Sequence, residues 1–300
     1  MAGYGGEMSH YSPTMEFALH TVLHSIDGAI KSKIAATSHS TVFCVKSGLY
    51  KRLVAIKMID LNALPKSIAV KFLPRELLFT QIVRHPHIAR ALSIQIPHPT
   101  KIAIISEYYP GGTLLHLILE YKKIPEFPHA CHLFRQLTEA IHYLHDRGVV
   151  HRDIKAENVL LDSNGDVKLT DFGFARYINP RELSHSFCGT KPYSAPEIVR
   201  HLPYNTYATD WYAMGVLLYT MLTGKWPAVR YDENEKVSNE IIFSRSILSR
   251  SARTLILCLM NEDHRFRGNY NTILNSEWMK SYNKWFIADQ HFIYEVTCTN

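Results

Sequence analysis

The sequence predicts an α+β chain in two lobes: a small β-rich N-terminal lobe with one main helix, then a larger, mainly helical C-terminal lobe. Three observations carry that expectation. β-branched runs at residues 41–45, 53–59 and 101–106 mark short strands, and between the last two lies one amphipathic stretch, 67–83. A turn at Pro110, Gly111 and Gly112 separates this region from one whose apolar residues recur every three or four positions. Residues 212–222 are close to continuously apolar, as a helix buried on all sides would be.

Taken in order, residues 1–25 are rich in Gly, Ser and Tyr without clear period, and read as a flexible N-terminal arm, with the fold beginning near Asp27. The strands and the 67–83 stretch make a small sheet with one helix. Beyond the turn, helices are expected over 113–121 and over 129–147, where Leu133, Leu137, Ile141 and Leu144 form one apolar stripe. Residues 252–260 repeat the helical pattern more weakly, and no internal repeat is present. Residues 283–300 read as a C-terminal tail whose Trp285, Phe286, Phe292 and Tyr294 pack on the helical lobe. The lobes meet near 107–112, where a ligand cleft is expected.

Composition narrows the function classes. With 300 residues, 46% of them hydrophobic, the chain has enough apolar material to bury roughly three quarters of its unfolded surface. The net charge of +6, from 33 basic and 27 acidic residues, is spread without a like-charge block, so neither nucleic acid nor membrane is expected as a partner. No stretch approaches the ~18 apolar residues of a membrane span, and the N-terminus lacks the basic and apolar regions of a secretion signal. Cys44, Cys131, Cys188, Cys258 and Cys298 form no CxxC pair, which points to a reducing compartment, cytosol or nucleus. The 17 histidines include no HExxH pair.

Phosphoryl transfer needs the donor held in line, its charge neutralised, and the acceptor oriented by a carboxylate. Lys57 ends VAIK on a β-branched strand, where it can project toward phosphates. Glu76, in PRELLF on the following helix, can fix its direction. HRDIKAEN at 151–158 supplies three groups from one short loop: Asp153 to accept a hydrogen bond from a hydroxyl, Lys155 to meet the transferring phosphate, and Asn158 to ligate magnesium. A hairpin turning at Asn164 and Gly165 returns Asp171, in TDFG, to the same place as Asn158, so that two oxygen ligands meet a hard cation.

In this order VAIK, PRELLF, HRDIKAEN, TDFG, SAPE at 194–197 and a distal Arg267 resemble the eukaryotic serine/threonine protein kinases over roughly residues 30–280. DFGFAR, FCGTKPYSAPE and Lys155 are similar to the calcium/calmodulin-kinase-like group, and most similar to the testis-specific serine/threonine kinases. The resemblance implies a bilobal protein-kinase-like fold, with a kinase domain over 26–282 divided into lobes of about 26–107 and 113–282. It implies ATP and Mg2+ as cofactors, and transfer to serine or threonine hydroxyls of protein substrates. Asp153, Lys155 and Lys57 would be catalytic, with Asn158 and Asp171 as metal ligands. Nucleotide contacts would fall on Ala35, Thr37, Ser40, Val42, Ala55, Lys57, Glu76, Glu107, Tyr109 and Leu160. Scaffold roles follow too: Glu197 pairs with Arg267, Asp210 ties the buried helix to the catalytic-loop backbone, and Phe172 stacks with His151. Trp211 directly follows Asp210, so Tyr212 takes the place of the tryptophan of the Asp-x-Trp pattern.

Several finer expectations attach to the same resemblance. Lys155 with Thr190 matches the serine/threonine pattern, and Glu157 would favour a basic residue before the target serine, although Thr113 stands where basophilic relatives often carry an acid. Ser106 is a small residue at the back of the adenine pocket, so bulky ATP-competitive inhibitors are expected to fit. Arg152 leaves a cation for a phosphate on Ser186, added by an upstream kinase or by autophosphorylation, with Ser184 the nearest competitor. The departure is the phosphate loop, IAATSHSTV, where Ala35, Thr37 and Ser40 occupy the three glycine positions. Glycine there lets backbone approach a triphosphate closely. Its loss leaves two readings, an active kinase with a weaker nucleotide grip, or a pseudokinase that keeps the fold as a scaffold or nucleotide-binding module.

Overall fold

The computed structural model describes residues 11–179, 182–185, 190–227, 230–231, 237–238 and 248–288. The chain divides into two compact units at Tyr108 and Tyr109, and the segment His85–Ile88 belongs with the second.

The first unit is built on a five-stranded antiparallel sheet of β1 (Gly28–Ala36), β2 (Ser40–Ser47), β3 (Arg52–Asp60), β4 (Ala91–His98) and β5 (Lys101–Glu107), in the order β1-β2-β3-β5-β4. The period of two sorts the side chains cleanly. Val54, Ile56 and Met58 of β3 join Phe43, Val45, Ala103 and Ile105 on one face. Ile59 joins Ile102 and Ile104 on the other, under Leu73 and the partly buried Leu77. The edge strands β1 and β4 were not legible as strands. β1 is mostly exposed and broken by two register shifts, and β4 carries Pro97 and two shifts of its own.

The expected flexible arm over 1–25 is corrected where it is described. Residues Pro13–Ser25 form a helix, α1. Ser12 caps it by accepting from Met15 N, Pro13 fits the first turn, and Met15, Ala18, Leu19 and Val22 recur at helical spacing. That stripe is buried in the same cluster as Phe43, Val54 and Ile105, so α1 covers one sheet face. A second correction concerns 67–83, which is two helices, α2 (Lys66–Lys71) and α3 (Leu73–Ile82). Pro74 has no N–H to give to the carbonyl four residues back, and the helix restarts there.

The second unit holds α4 (Leu114–Tyr121), α5 (Cys131–Asp146), α6 (Pro196–Val199), α7 (Thr206–Thr223), α8 (Arg250–Leu259), α9 (Tyr270–Asn275) and α10 (Glu277–Ala288). Two small ribbons pair β6 (Val149–Val150) with β9 (Arg176–Tyr177) and β7 (Val159–Leu161) with β8 (Val167–Leu169). α7 is buried on every side from Thr209 to Leu222. It stops at Gly224, whose φ of +70° is left-handed, and where a Cβ would lie 1.7 Å from the Lys122 carbonyl. α10 runs through the predicted tail boundary at 283 to Ala288, held by Trp278, whose ring meets Phe134 edge-on and whose Nε1 donates to Glu126 at 2.9 Å. The side chains of Trp285 and Phe286, and residues Phe292 and Tyr294, lie outside the described residues. No helix among the described residues is long and apolar enough to cross a membrane.

Candidate active site

In the first unit Lys57 sits centrally in the sheet, opposite Val42 on β2 and Ile104 on β5. It shares its face with Ala55 and Ile59, the face that α3 covers, and this brings Glu76 within reach. The Lys57 Nζ to Glu76 Oε1 distance is 2.6 Å, with side-chain exposures of 32% and 16%, so the ammonium is fixed in direction without being sealed from solvent. Cys44, which the sequence reading passed over, lies opposite Ala55 and on the same face; the period of two counted from Val42 would have found it. Burial pushes its thiol pKa up.

The three replaced glycines fall at a hairpin tip. Ala35 is in β1 opposite Val42, Ser40 opens β2, and Thr37 N donates to Ser40 O at 2.8 Å. Ser106 lies opposite Ala55, with its hydroxyl 3.5 Å from the Ala55 carbonyl. Glu107 ends β5, its N–H given to Arg90 O at 3.1 Å and its carboxylate 3.0 Å from Arg52 Nη1. Tyr109 is a buried residue of the second unit. Just beyond it Gly111 N donates to Leu161 O at 3.0 Å, and a Cβ on Gly111 would stand 2.8 Å from that of Leu161, which is why the turn must be this small. Thr113 bridges to Leu160, which fixes the height of Leu160 on β7.

The second unit assembles the acceptor side. Both oxygens of Asp153 are engaged: Oδ1 accepts from Thr190 Oγ1 at 2.9 Å, and Oδ2 from Lys155 Nζ at 2.7 Å and Asn158 Nδ2 at 3.0 Å. Lys155 also donates to Thr190 Oγ1 at 3.1 Å. The loop that holds them is pinned by Asp210 of α7, which accepts from His151 N at 2.9 Å, Arg152 N at 2.8 Å and His145 Nε2 at 2.9 Å. Burial opposes ionisation of Asp210, and these hydrogen bonds with the nearby imidazoles outweigh it, holding the carboxyl below its ordinary range. His145 is a partner the sequence reading missed; the cue was a histidine one step beyond Leu144 on the buried stripe of α5. The His151 ring donates from Nε2 to Thr170 O at 3.2 Å and meets Phe172 edge-on at 5.2 Å.

Asn158 and Asp171 flank the open end of the β7–β8 ribbon, where Thr170 N donates to Asn158 O at 2.9 Å. Asn158 Nδ2 is given twice to Asp153, so the amide oxygen is the atom left to bind something else. Asp171 has φ of +64° and accepts from Gly173 N at 3.3 Å. An amide oxygen and a carboxylate are the hard donors that Mg2+ takes alongside water and phosphate.

The scaffold residues also fall where the sequence placed them. Arg267 makes a two-pronged pair with Glu197 at 2.6 and 2.9 Å, and its guanidinium lies 5.0 Å from the Tyr212 ring, while Trp211 meets His145 edge-on. Two regulatory expectations change. Arg152 is not an open cation: it is buried and its Nε donates to Phe174 O at 2.8 Å. Ser184 is not an open acceptor: it is buried and exchanges backbone hydrogen bonds with Tyr204. Ser186 lies outside the described residues.

A model of the protein kinase domain family matches residues 29–279. Testis-specific serine/threonine-protein kinase 3 of Homo sapiens is 39% identical over 196 residues, covering 65% of this chain and 72% of that protein. Testis-specific serine/threonine-protein kinase 4 of Homo sapiens is 30% identical over 297 residues, covering 91% of this chain and 88% of its own length. NUAK family SNF1-like kinase 1 of Mus musculus is 34% identical over 232 residues, or 76% of this chain and 35% of that protein.

Proposed function

Because the chain belongs to the protein kinase domain family and its relatives are serine/threonine-protein kinases, we propose that it transfers the γ-phosphoryl group of ATP, with Mg2+, to serine and threonine hydroxyls of protein substrates. The observation that carries this reading is the Asp153 carboxylate. An ionised carboxylate has about four lone-pair directions, and Thr190, Lys155 and Asn158 occupy three. The fourth is left for an acceptor hydroxyl, which Asp153 orients as its proton is released.

The remaining roles follow from charge and reach. Lys155, paired with Asp153, would meet the transferring phosphoryl group, and Lys57, steadied by Glu76, the α- and β-phosphates. Asn158 Oδ1 and Asp171 would hold Mg2+, which when bound neutralises phosphate charge. In the first unit Val42, Ala55 and the backbone of Glu107 would contact the base, and in the second Leu160 and the backbone of Tyr109 would do so. Glu157 would receive a basic side chain upstream of the target serine. A peptide array indifferent to arginine removes that preference. Phosphorylation at Ser186 is the proposed activating mark, since the neutral Phe174 carbonyl engages Arg152 Nε without cancelling its charge; mass spectrometry of the active protein checks it.

The pseudokinase reading draws on one observation, the loss of glycine at 35, 37 and 40. Two assays separate the readings. Mg-ATP raises the melting temperature, and wild type transfers radiolabel to a serine peptide while Asp153→Asn loses about 100-fold or more. Binding without transfer in wild type overturns the kinase reading, and label that persists in Asp153→Asn marks a contaminant.

A further inference from the structure

The hairpin tip that stands in place of the glycine loop engages three of its own backbone N–H groups, those of Thr37, His39 and Ser40. Thr37 Oγ1 accepts from His39 N at 3.3 Å and from Ser40 N at 3.1 Å, and lies 2.9 Å from Ser40 Oγ. Thr37 N closes the same turn on Ser40 O at 2.8 Å, and His39 O accepts from Asp60 N at 2.8 Å, which anchors the tip to the end of β3. Thr37 and Ser38 are exposed, whereas Ser40 is buried. A loop that cradles phosphate does so with backbone N–H groups at its tip. Each N–H carries one hydrogen, so an N–H given to a threonine hydroxyl is not available in full to a phosphate oxygen.

We infer that Thr37 is a latch, a positioning residue whose hydroxyl competes with nucleotide phosphate for the N–H groups of His39 and Ser40, and so sets the affinity for Mg-ATP. The inference rests on the nucleotide reading above. It assigns the weak grip to an added acceptor, and not to the bulk of the side chains. Glycine at this position has no such acceptor. Valine has the shape of threonine without the hydroxyl, so Thr37→Val isolates the latch from size and from backbone freedom.

The test is titration of the full chain with Mg-ATP by calorimetry, in wild type, Thr37→Val, Thr37→Ser and Ser38→Ala. Releasing two N–H groups from net hydrogen bonds lowers the Kd of Thr37→Val by at least about fivefold. The change falls on KM for ATP and not on kcat. Thr37→Ser keeps the acceptor and with it the weaker affinity. Ser38→Ala, whose hydroxyl meets the His39 ring, stays within about twofold of wild type. Unchanged or weaker binding in Thr37→Val, with wild type binding normally, overturns the latch and leaves the nucleotide reading standing. No binding by wild type or Thr37→Val overturns the nucleotide reading, and the latch with it.

Discussion

Removing Glu197 from the pair it makes with Arg267 is the sharpest stability test of the second unit. The Arg267 side chain is 0% exposed and that of Glu197 8%. All five guanidinium N–H groups have partners: Nε gives to Asn261 O at 2.9 Å, Nη1 to Glu197 Oε1 at 2.6 Å and Ala208 O at 3.1 Å, and Nη2 to Glu197 Oε2 at 2.9 Å and Glu262 O at 3.3 Å. Glu197→Ala leaves the cation in place with two donors orphaned and no counter-charge, a loss of about 3–5 kcal/mol. For a unit of this size that lowers the melting temperature by roughly 6–20 °C. Arg267→Met removes the charge but also abandons three carbonyls, so it too destabilises. The double variant no longer holds an unpaired charge, and its loss falls short of the sum of the singles by about 2 kcal/mol or more. Thermal melts followed by circular dichroism read all four corners of the cycle. A Glu197→Ala shift under about 2 °C, or strict additivity, would refute the buried-charge argument.

Three further outcomes are expected. Leu19→Ala in α1 empties a fully buried site against Val54 and Ile105, so stability falls by about 2–5 kcal/mol, and removal of residues 1–26 gives aggregation; an unaltered melt in both shows that α1 does not hold the sheet. Burial above all holds the imidazoles of His85 and His87 below the ordinary value, helped at His85 by the neighbouring His87 and opposed by Glu139 at both and by Asp166 at His87. The unfolded chain therefore takes up protons near pH 6.5 that the folded chain refuses, and stability drops as pH falls from about 7 through that value, then levels once the folded rings titrate; replacing both with glutamine flattens a plot of melting temperature against pH, and an unchanged slope removes the explanation. Ser106→Met fills the space behind Ala55, so inhibition by a bulky ATP-competitive compound weakens about tenfold or more while that by a small one does not, measured as dose-response in the transfer assay.

What the sequence made legible was whatever obeys a short local rule. β2, β3 and β5 are short β-branched runs, α5 carries an unbroken stripe, and HRDIKAEN packs Asp153, Lys155 and Asn158 into eight residues. Glu76 was found by helical period, and Arg267 through the motif order. What stayed hidden needed partners distant in sequence. α1 has its own cap and stripe, yet the Gly-rich stretch before it masked the change in period at Ser12. β1 and β4 have no alternation to read because they are edges with shifted register. The burial of Ser184 depends on Tyr204, and the closure of Arg152 on the carbonyl of Phe174; neither contact has a signature in the residues alone.

The loss of the glycines and the survival of the catalytic loop are compatible because two separate polar systems serve them. Asp210 holds the backbone of His151 and Arg152, Asp153 is shared among Thr190, Lys155 and Asn158, and every one of these contacts closes within the second unit. The hairpin tip closes on Thr37, Ser40 and Asp60, all in the first. A substitution at 35, 37 or 40 therefore leaves every acceptor-side hydrogen bond named here intact. Under the proposed function it would act on the donor nucleotide alone, where Ala, Thr and Ser side chains stand in place of bare backbone. Under the proposed function glycine loss is a change in grip, and it would count against transfer if it were joined by loss at Lys57, Asp153 or Asp171, all of which are present.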